Sequence, residues 1–269
     1  MHTVRPHAVA GTFYPELRKT LLDEVLVMLT AARPGHDSKS PKVIIVPHAG
    51  YIYSGSTAAL AYAQMGKVRQ TIRRVVVLGP VHRVPVRGLA LPGVDFFATP
   101  LGEIEVDQEA VAIIRSLPQV VVSPAAHAQE HSLEVQLPFL QTVLDDFKLL
   151  PLAVGDATPF EVAEVLDLLW GGDETLMVIS SDLSHFLPYA TAQALDHQTI
   201  QQVLNLQPDL THRQACGATP VNGALLAARR HGLRPELLQL CNSGDTAGDK
   251  LRVVGYAALA FTQSTSHEH

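Results

Sequence analysis

Apolar residues in this chain follow two patterns in alternation. Four short runs, 43–46, 75–78, 149–154 and 176–179, are apolar or nearly so at consecutive positions. A strand with one wet face alternates apolar and polar side chains, so these runs predict strands covered on both faces. Around them, apolar residues recur three and four apart, which predicts helices over 15–32, 56–65, 107–116, 132–144, 159–169, 189–204 and 221–230. Leu17, Leu21, Leu22, Val25, Met28 and Leu29 form the stripe of the first helix, with Arg33-Pro34-Gly35 as its stop. Thr219 reads as the N-cap of the last and Pro220 as its first residue, and His231 before Gly232 marks its end.

Strand and helix in alternation predict an α/β fold: a single domain with a central, largely parallel or mixed sheet flanked by helices. Residues 89–105 break the alternation and read as an antiparallel excursion or a long irregular loop. Residues 236–241 and 253–261 read as strands joined by the turn Asn242-Ser243-Gly244-Asp245. No compositional shift marks a boundary, so one domain is expected over 1–269, with 263–269 as a fraying polar tail.

Composition narrows the class. With 47% apolar and 17% charged residues among 269, the chain can bury a sizeable core, which excludes wholesale disorder. Twenty-six acids against 20 bases give a charge of −6, and no basic stripe offers a nucleic-acid or anionic-membrane surface. No apolar stretch approaches the roughly 20 residues of a membrane helix, and the start lacks a signal-peptide layout. Two cysteines are too few for a disulfide scaffold, so a reduced, cytoplasmic setting is expected.

Histidine, at 13 residues, is the unusual component. In open α/β sheets ligands bind beyond the carboxyl ends of the strands. His48 follows the first apolar run, His82 the second, and Asp182 and His185 the fourth. Neighbouring strands lie about 4.8 Å apart, so such ends can converge, and neutral imidazoles suit iron, zinc, copper and nickel. An anionic partner could come from Asp182, Asp156, Asp245, Asp249, Glu130 or a thiol. Cys216, just ahead of a predicted helix, reads either as a thiolate favoured by the helix N-terminus or as a small buried hydrophobe. Cys241, in an apolar stretch, reads as core. Glu130-His131-Ser132-Leu133-Glu134 reads as an active-site edge or as a capped helix start. Ser54-Gly55-Ser56 is a weak candidate for an anion at a helix N-terminus. No phosphate-loop, dinucleotide, nucleophile-elbow or H-E-x-x-H pattern is present, so nucleotide-dependent and serine-hydrolase readings have no anchor.

Taken together, Ala10-Gly11-Thr12-Phe13-Tyr14-Pro15, Pro47-His48-Ala49-Gly50-Tyr51, Leu78-Gly79-Pro80-Val81-His82, Glu130-His131-Ser132-Leu133-Glu134, Ser180-Ser181-Asp182-Leu183-Ser184-His185 and Cys216-Gly217 resemble the Memo family. In bacteria and archaea that family is known as AmmeMemoRadiSam system protein B. The resemblance implies a fold shared with class III extradiol ring-cleaving dioxygenases, whose iron is held by two His and a carboxylate. It implies His48, His82 and Cys216 as metal ligands, with Cys216 in place of the carboxylate. His185 then matches the acid–base group, with Asp182 nearby, and His131 is taken with them as a candidate catalytic residue. Fe(II) is the implied metal, with copper or zinc as alternatives. Oxygenase-type or metal-assisted chemistry on a small organic substrate leads; a non-catalytic peptide- or metal-binding signalling module and a zinc hydrolase are the alternatives. A radical-SAM protein and a second accessory protein are the implied partners.

Overall fold

The structure, a computed structural model, describes residues 2–32 and 40–263. Strand β1 (Val4–Arg5) and helix α1 (Arg18–Ala31) precede β2 (Val43–Val46), α2 (Tyr51–Tyr62), a 3-10 turn (Ala63–Val68) and β3 (Arg74–Pro80). Then come β4 (Leu89–Leu91), β5 (Phe96–Thr99), β6 (Gly102–Glu105), α3 (Gln108–Ile114), β7 (Val120–Val122) and α4 (Pro124–Ala128). A second 3-10 turn (Glu134–Gln136) leads to α5 (Leu137–Val143), β8 (Lys148–Val154), α6 (Pro159–Leu168), β9 (Thr175–Ser180), β10 (His185–Leu187) and α7 (Tyr189–Leu204). After these lie α8 (Ala218–Arg230), β11 (Leu233–Asn242) and β12 (Val253–Gln263).

Nine of the described strands make one mixed sheet in the order β10-β12-β2-β9-β3-β8-β4-β7, with β11 paired to β12. The four continuous apolar runs are its parallel centre, β2, β9, β3 and β8. Their side chains divide by strict alternation. Ile44, Val46, Val75, Val77, Leu176 and Val178 join the core under α1, α2 and α5. Val43, Ile45, Val76, Leu78, Met177 and Ile179 join the core under α6 and α8. Both faces are therefore dry, which is why these strands carry no polar alternation. The fold is α/β with a mixed sheet between helical layers, as expected. Among the described residues no helix is long and apolar enough to cross a membrane.

The irregular segment 89–105 is the antiparallel excursion: β4 pairs antiparallel with β8, and β5 and β6 form a hairpin alongside β1 in a separate small sheet. Close backbone approach fixes this corner. A Cβ on Gly88 would sit 2.0 Å from the Gln119 carbonyl oxygen, and one on Gly155 2.0 Å from that of Val86.

Other boundaries differ from the sequence reading. Helix α1 begins at Arg18, leaving Pro15 outside it, and its expected stop at Arg33-Pro34-Gly35 lies outside the described residues, as does the tail beyond Gln263. Helix α2 starts five residues early, so Ser54-Gly55-Ser56 sits inside the helix and offers no N-terminal anion site. The expected helix over 132–144 is a 3-10 turn followed by α5, because Pro138 has no N–H to carry the ladder back. Helix α8 is capped by Gly217 with no side-chain cap bond, so Thr219 is helical rather than the N-cap. Cys241 is half-buried on β11, its Sγ 3.1 Å from Thr57 Oγ1, rather than in the core.

Candidate metal centre

Strands β2, β9 and β3 run parallel and side by side, so their carboxyl ends open on one edge of the sheet. Just past them stand His48, Asp182 and His82. The segment between α4 and the 3-10 turn adds His131. One donor atom from each of His48, His82 and His131 lies within 4.8 Å of the others. The ring centroids are 5.2 Å apart for His48–His82, 5.4 Å for His48–His131 and 4.6 Å for His82–His131. Cys216, at the head of α8, meets one of these imidazoles, its Sγ 3.3 Å from His48 Nε2.

Hydrogen bonds settle which ring nitrogens are free. Ser180 Oγ donates its only proton to the Ser132 carbonyl at 2.6 Å. It must therefore accept from His48 Nδ1, 2.9 Å away, as it does from Gln136 Nε2 at 2.9 Å. The His48 proton is thus on Nδ1, and Nε2 presents its lone pair to the site. His82 repeats the arrangement with a carboxylate: Nδ1 donates to Glu130 Oε1 at 2.9 Å, and the His82 backbone N–H to Oε2 at 2.6 Å. Imidazoles that ligate metals are held in this way, by an oxygen behind the ring that fixes tautomer and angle.

The family relationship follows the geometry. The family model described as Memo-like protein matches residues 5–260. The chain belongs to the Memo family. A MEMO1 family protein of Ignicoccus hospitalis is 34% identical over 285 residues, covering 96% of this chain and 98% of its own. That of Aquifex aeolicus is 36% identical over 271 residues, covering 96% and 99%. That of Methanosarcina barkeri is 37% identical over 276 residues, covering 95% and 99%. A solved structure of the uncharacterized protein JW3007 from Escherichia coli K12 aligns with a TM-score of 0.49 at 15% identity, covering 81% of this chain and 99% of that one.

In this Memo chain the electrostatics favour neutral imidazoles at His48 and His131. Burial, and then the charges of His131 and His82, hold His48 well below the usual histidine range. Burial and the charge of His82 lower His131 likewise. Desolvation alone would raise Glu130, but hydrogen bonds from His82 and the Ser132 N–H outweigh it and bring the carboxyl to about 2. Asp182 moves the other way: burial raises it, although the His48 backbone N–H donates to Oδ1 at 2.7 Å. For the metal-free thiol, burial followed by the Asp182 charge pushes Cys216 up to about 12. The helix N-terminus does not overcome that burial, so of the two readings the sequence leaves open the protonated thiol is favoured over the thiolate.

The residues singled out from sequence divide: Asp245 and Asp249 are engaged in the turn before β12, whereas several others meet here. His48, His82 and His131 form the imidazole cluster, with Cys216 and Asp182 against His48. His185 opens β10, close enough for its charge to act on both His48 and Asp182. Its Nδ1 donates to the Leu183 carbonyl at 2.9 Å, which leaves Nε2 bare. Sequence reasoning missed Ser180 as the group that orients His48; its only sequence signal is a hydroxyl at the last position of a buried strand. It also missed the N-terminal segment. Glu134 is buried and accepts from Arg5, the Ala8 and Val9 N–H groups and Tyr14 Oη. Thus anchored, Phe13 packs on His131 at 4.6 Å between ring centroids, and its carbonyl accepts the Tyr51 N–H at the head of α2.

Proposed function

We propose that this Memo-family chain holds a single non-heme metal ion and performs metal-assisted, oxidative chemistry on a small organic substrate. The observation that carries the reading is the pair His48 and His82, each with Nδ1 tied to a buried oxygen, clustered with His131, while Cys216 Sγ lies 3.3 Å from His48 Nε2. This donor set fits a transition metal: neutral imidazoles and a soft sulfur suit iron, copper or zinc. Iron(II) is the metal proposed, on the resemblance to non-heme iron enzymes. His48, His82 and Cys216 are the proposed ligands, with His131 beside them. A bound ion would supply Lewis acidity and, if redox-active, the electrons for oxygen chemistry.

The chain's own residues supply orientation and proton handling. Ser180 and Glu130 hold two ligand rings at fixed angles. His185 accepts a proton at Nε2, because the Leu183 carbonyl keeps the other proton on Nδ1. Asp182, buried and raised, can hold a proton next to His48.

Elemental analysis of protein purified without oxygen, followed by optical titration with Fe(II) and nitric oxide, tests the reading. One equivalent of iron is expected. His48→Ala and His82→Ala should lose it and remain folded, and Cys216→Ser should bind it more weakly. His185→Ala should keep the metal and lose turnover. Retention of iron by His48→Ala, or its equal loss from His185→Ala, contradicts these assignments.

A further inference from the structure

Next to His185 lies a residue whose backbone and side chain are both out of the ordinary. Phe186 has φ +58°, in the left-handed region, and its side chain is 60% exposed. The conformation arises where β10 slips register against β12, between His185 and Leu187. Glycine would adopt it without strain, whereas a large aromatic does so at a cost and here gains little burial in return. Strain kept at an exposed position beside a candidate acid–base group points to contact with a ligand.

The surroundings say which kind. The Arg252 guanidinium lies 5.1 Å from the centroid of the Phe186 ring, and it is exposed. No carboxylate among the described residues ion-pairs with it. The acids of the neighbouring turn are already engaged. Asp249 accepts from the Leu251 and Arg252 backbone N–H groups, and Asp245 from Tyr189 Oη and the Asn242 N–H. Arg83, directly after His82, adds a second exposed cation close enough to act on His131. In a chain of net charge −6, one exposed cation thus stands beside the cluster at Arg83 and another against Phe186, the neighbour of His185.

We propose that Phe186 and Arg252 form the recognition rim of the metal centre and select a flat organic anion, the ring stacking on its planar face and the guanidinium pairing with its carboxylate. The proposal rests on the metal-centre reading for its substrate role. Guanidinium offers a planar fork that matches a carboxylate, and a ring already below it keeps the cation aligned with a stacked ligand.

Calorimetric titration of the metal-loaded full chain with benzoate, benzamide and cyclohexanecarboxylate tests this. Benzoate should bind at least tenfold more tightly than the uncharged amide or the non-planar acid. Arg252→Gln and Phe186→Gly should each weaken benzoate at least tenfold at unchanged metal content, and Phe186→Tyr should restore it. Because glycine relieves the backbone, Phe186→Gly should melt no lower than the parent. The proposal is overturned if benzoate shows no preference, if either variant binds it as well as the parent, or if Phe186→Gly lowers the melting temperature and sheds metal together. Should the parent chain take up no metal yet keep the benzoate preference and its loss in the variants, the rim stands and the metal reading falls.

Discussion

Ser180 decides which nitrogen of His48 can meet a metal. Its hydroxyl proton is spent on the Ser132 carbonyl, so the imidazole must donate to it from Nδ1. Ser180→Ala removes that lock without opening the sheet edge. Metal affinity should fall about 10–100-fold, as for other groups behind a ligand ring. Glu130→Gln should act similarly through His82, and competition with a chromogenic chelator measures both. Wild-type affinity in both variants would deny these oxygens any role. Cys216 gives a second residue-scale expectation. With its thiol pushed up to about 12 by burial and by Asp182, metal-free protein should react slowly with iodoacetamide at pH 7.5 and faster as pH rises. Peptide mass spectrometry reads this directly, and fast labelling of Cys216 at neutral pH contradicts the buried, protonated thiol. The sequence could place this cysteine before a helix, but not the enclosure that overrides the helix.

Among the elements, the 3-10 turn at Glu134–Gln136 does the most joining. Glu134 is buried and neutralised by Arg5, which also donates to the carbonyls of His127 and Glu130. Glu134→Ala leaves a buried guanidinium unpaired and should cost about 3–5 kcal/mol in urea denaturation, whereas Arg5→Met with Glu134→Leu should recover much of it. If the double variant is as unstable as the single, the cost lies in the lost Ala8, Val9 and Tyr14 contacts instead. The legibility of elements follows the same divide between local and distant causes. Strands β2 and β9 could be read because burial on both faces writes itself into consecutive residues. The start of α2 could not, because Tyr51 donates to Phe13, far away in sequence. Likewise His48 and His82 are marked by the strands before them, but nothing local marks His131 as their neighbour.

For the whole molecule, two buried imidazoles and one half-buried set a common response to acid. His48, His127 and His131 are all held below the unfolded value near 6.5, mainly by burial. A histidine with a lowered folded pKa contributes stability above its unfolded pKa, and that stability is lost as pH falls, because the unfolded chain takes up the proton first. For His127, brought to about 4, the loss runs from near pH 6.5 down to pH 4 and amounts to about 3 kcal/mol. Urea midpoints of metal-free protein should fall from pH 7 to pH 4.5, and His127→Gln should flatten part of that fall. A midpoint that stays level across this range would sink the expectation. The layout of the cluster along the chain has a consequence for synthesis. Cys216 is 168 residues beyond His48. At 5–20 residues per second, roughly ten to thirty seconds separate their emergence from the ribosome. Until β9 takes its place between β2 and β3, the imidazoles of His48, His82 and His131 stand on an unfinished sheet without the thiol. On the proposed metal reading, the choice of metal would be deferred until the sheet around the cluster has closed.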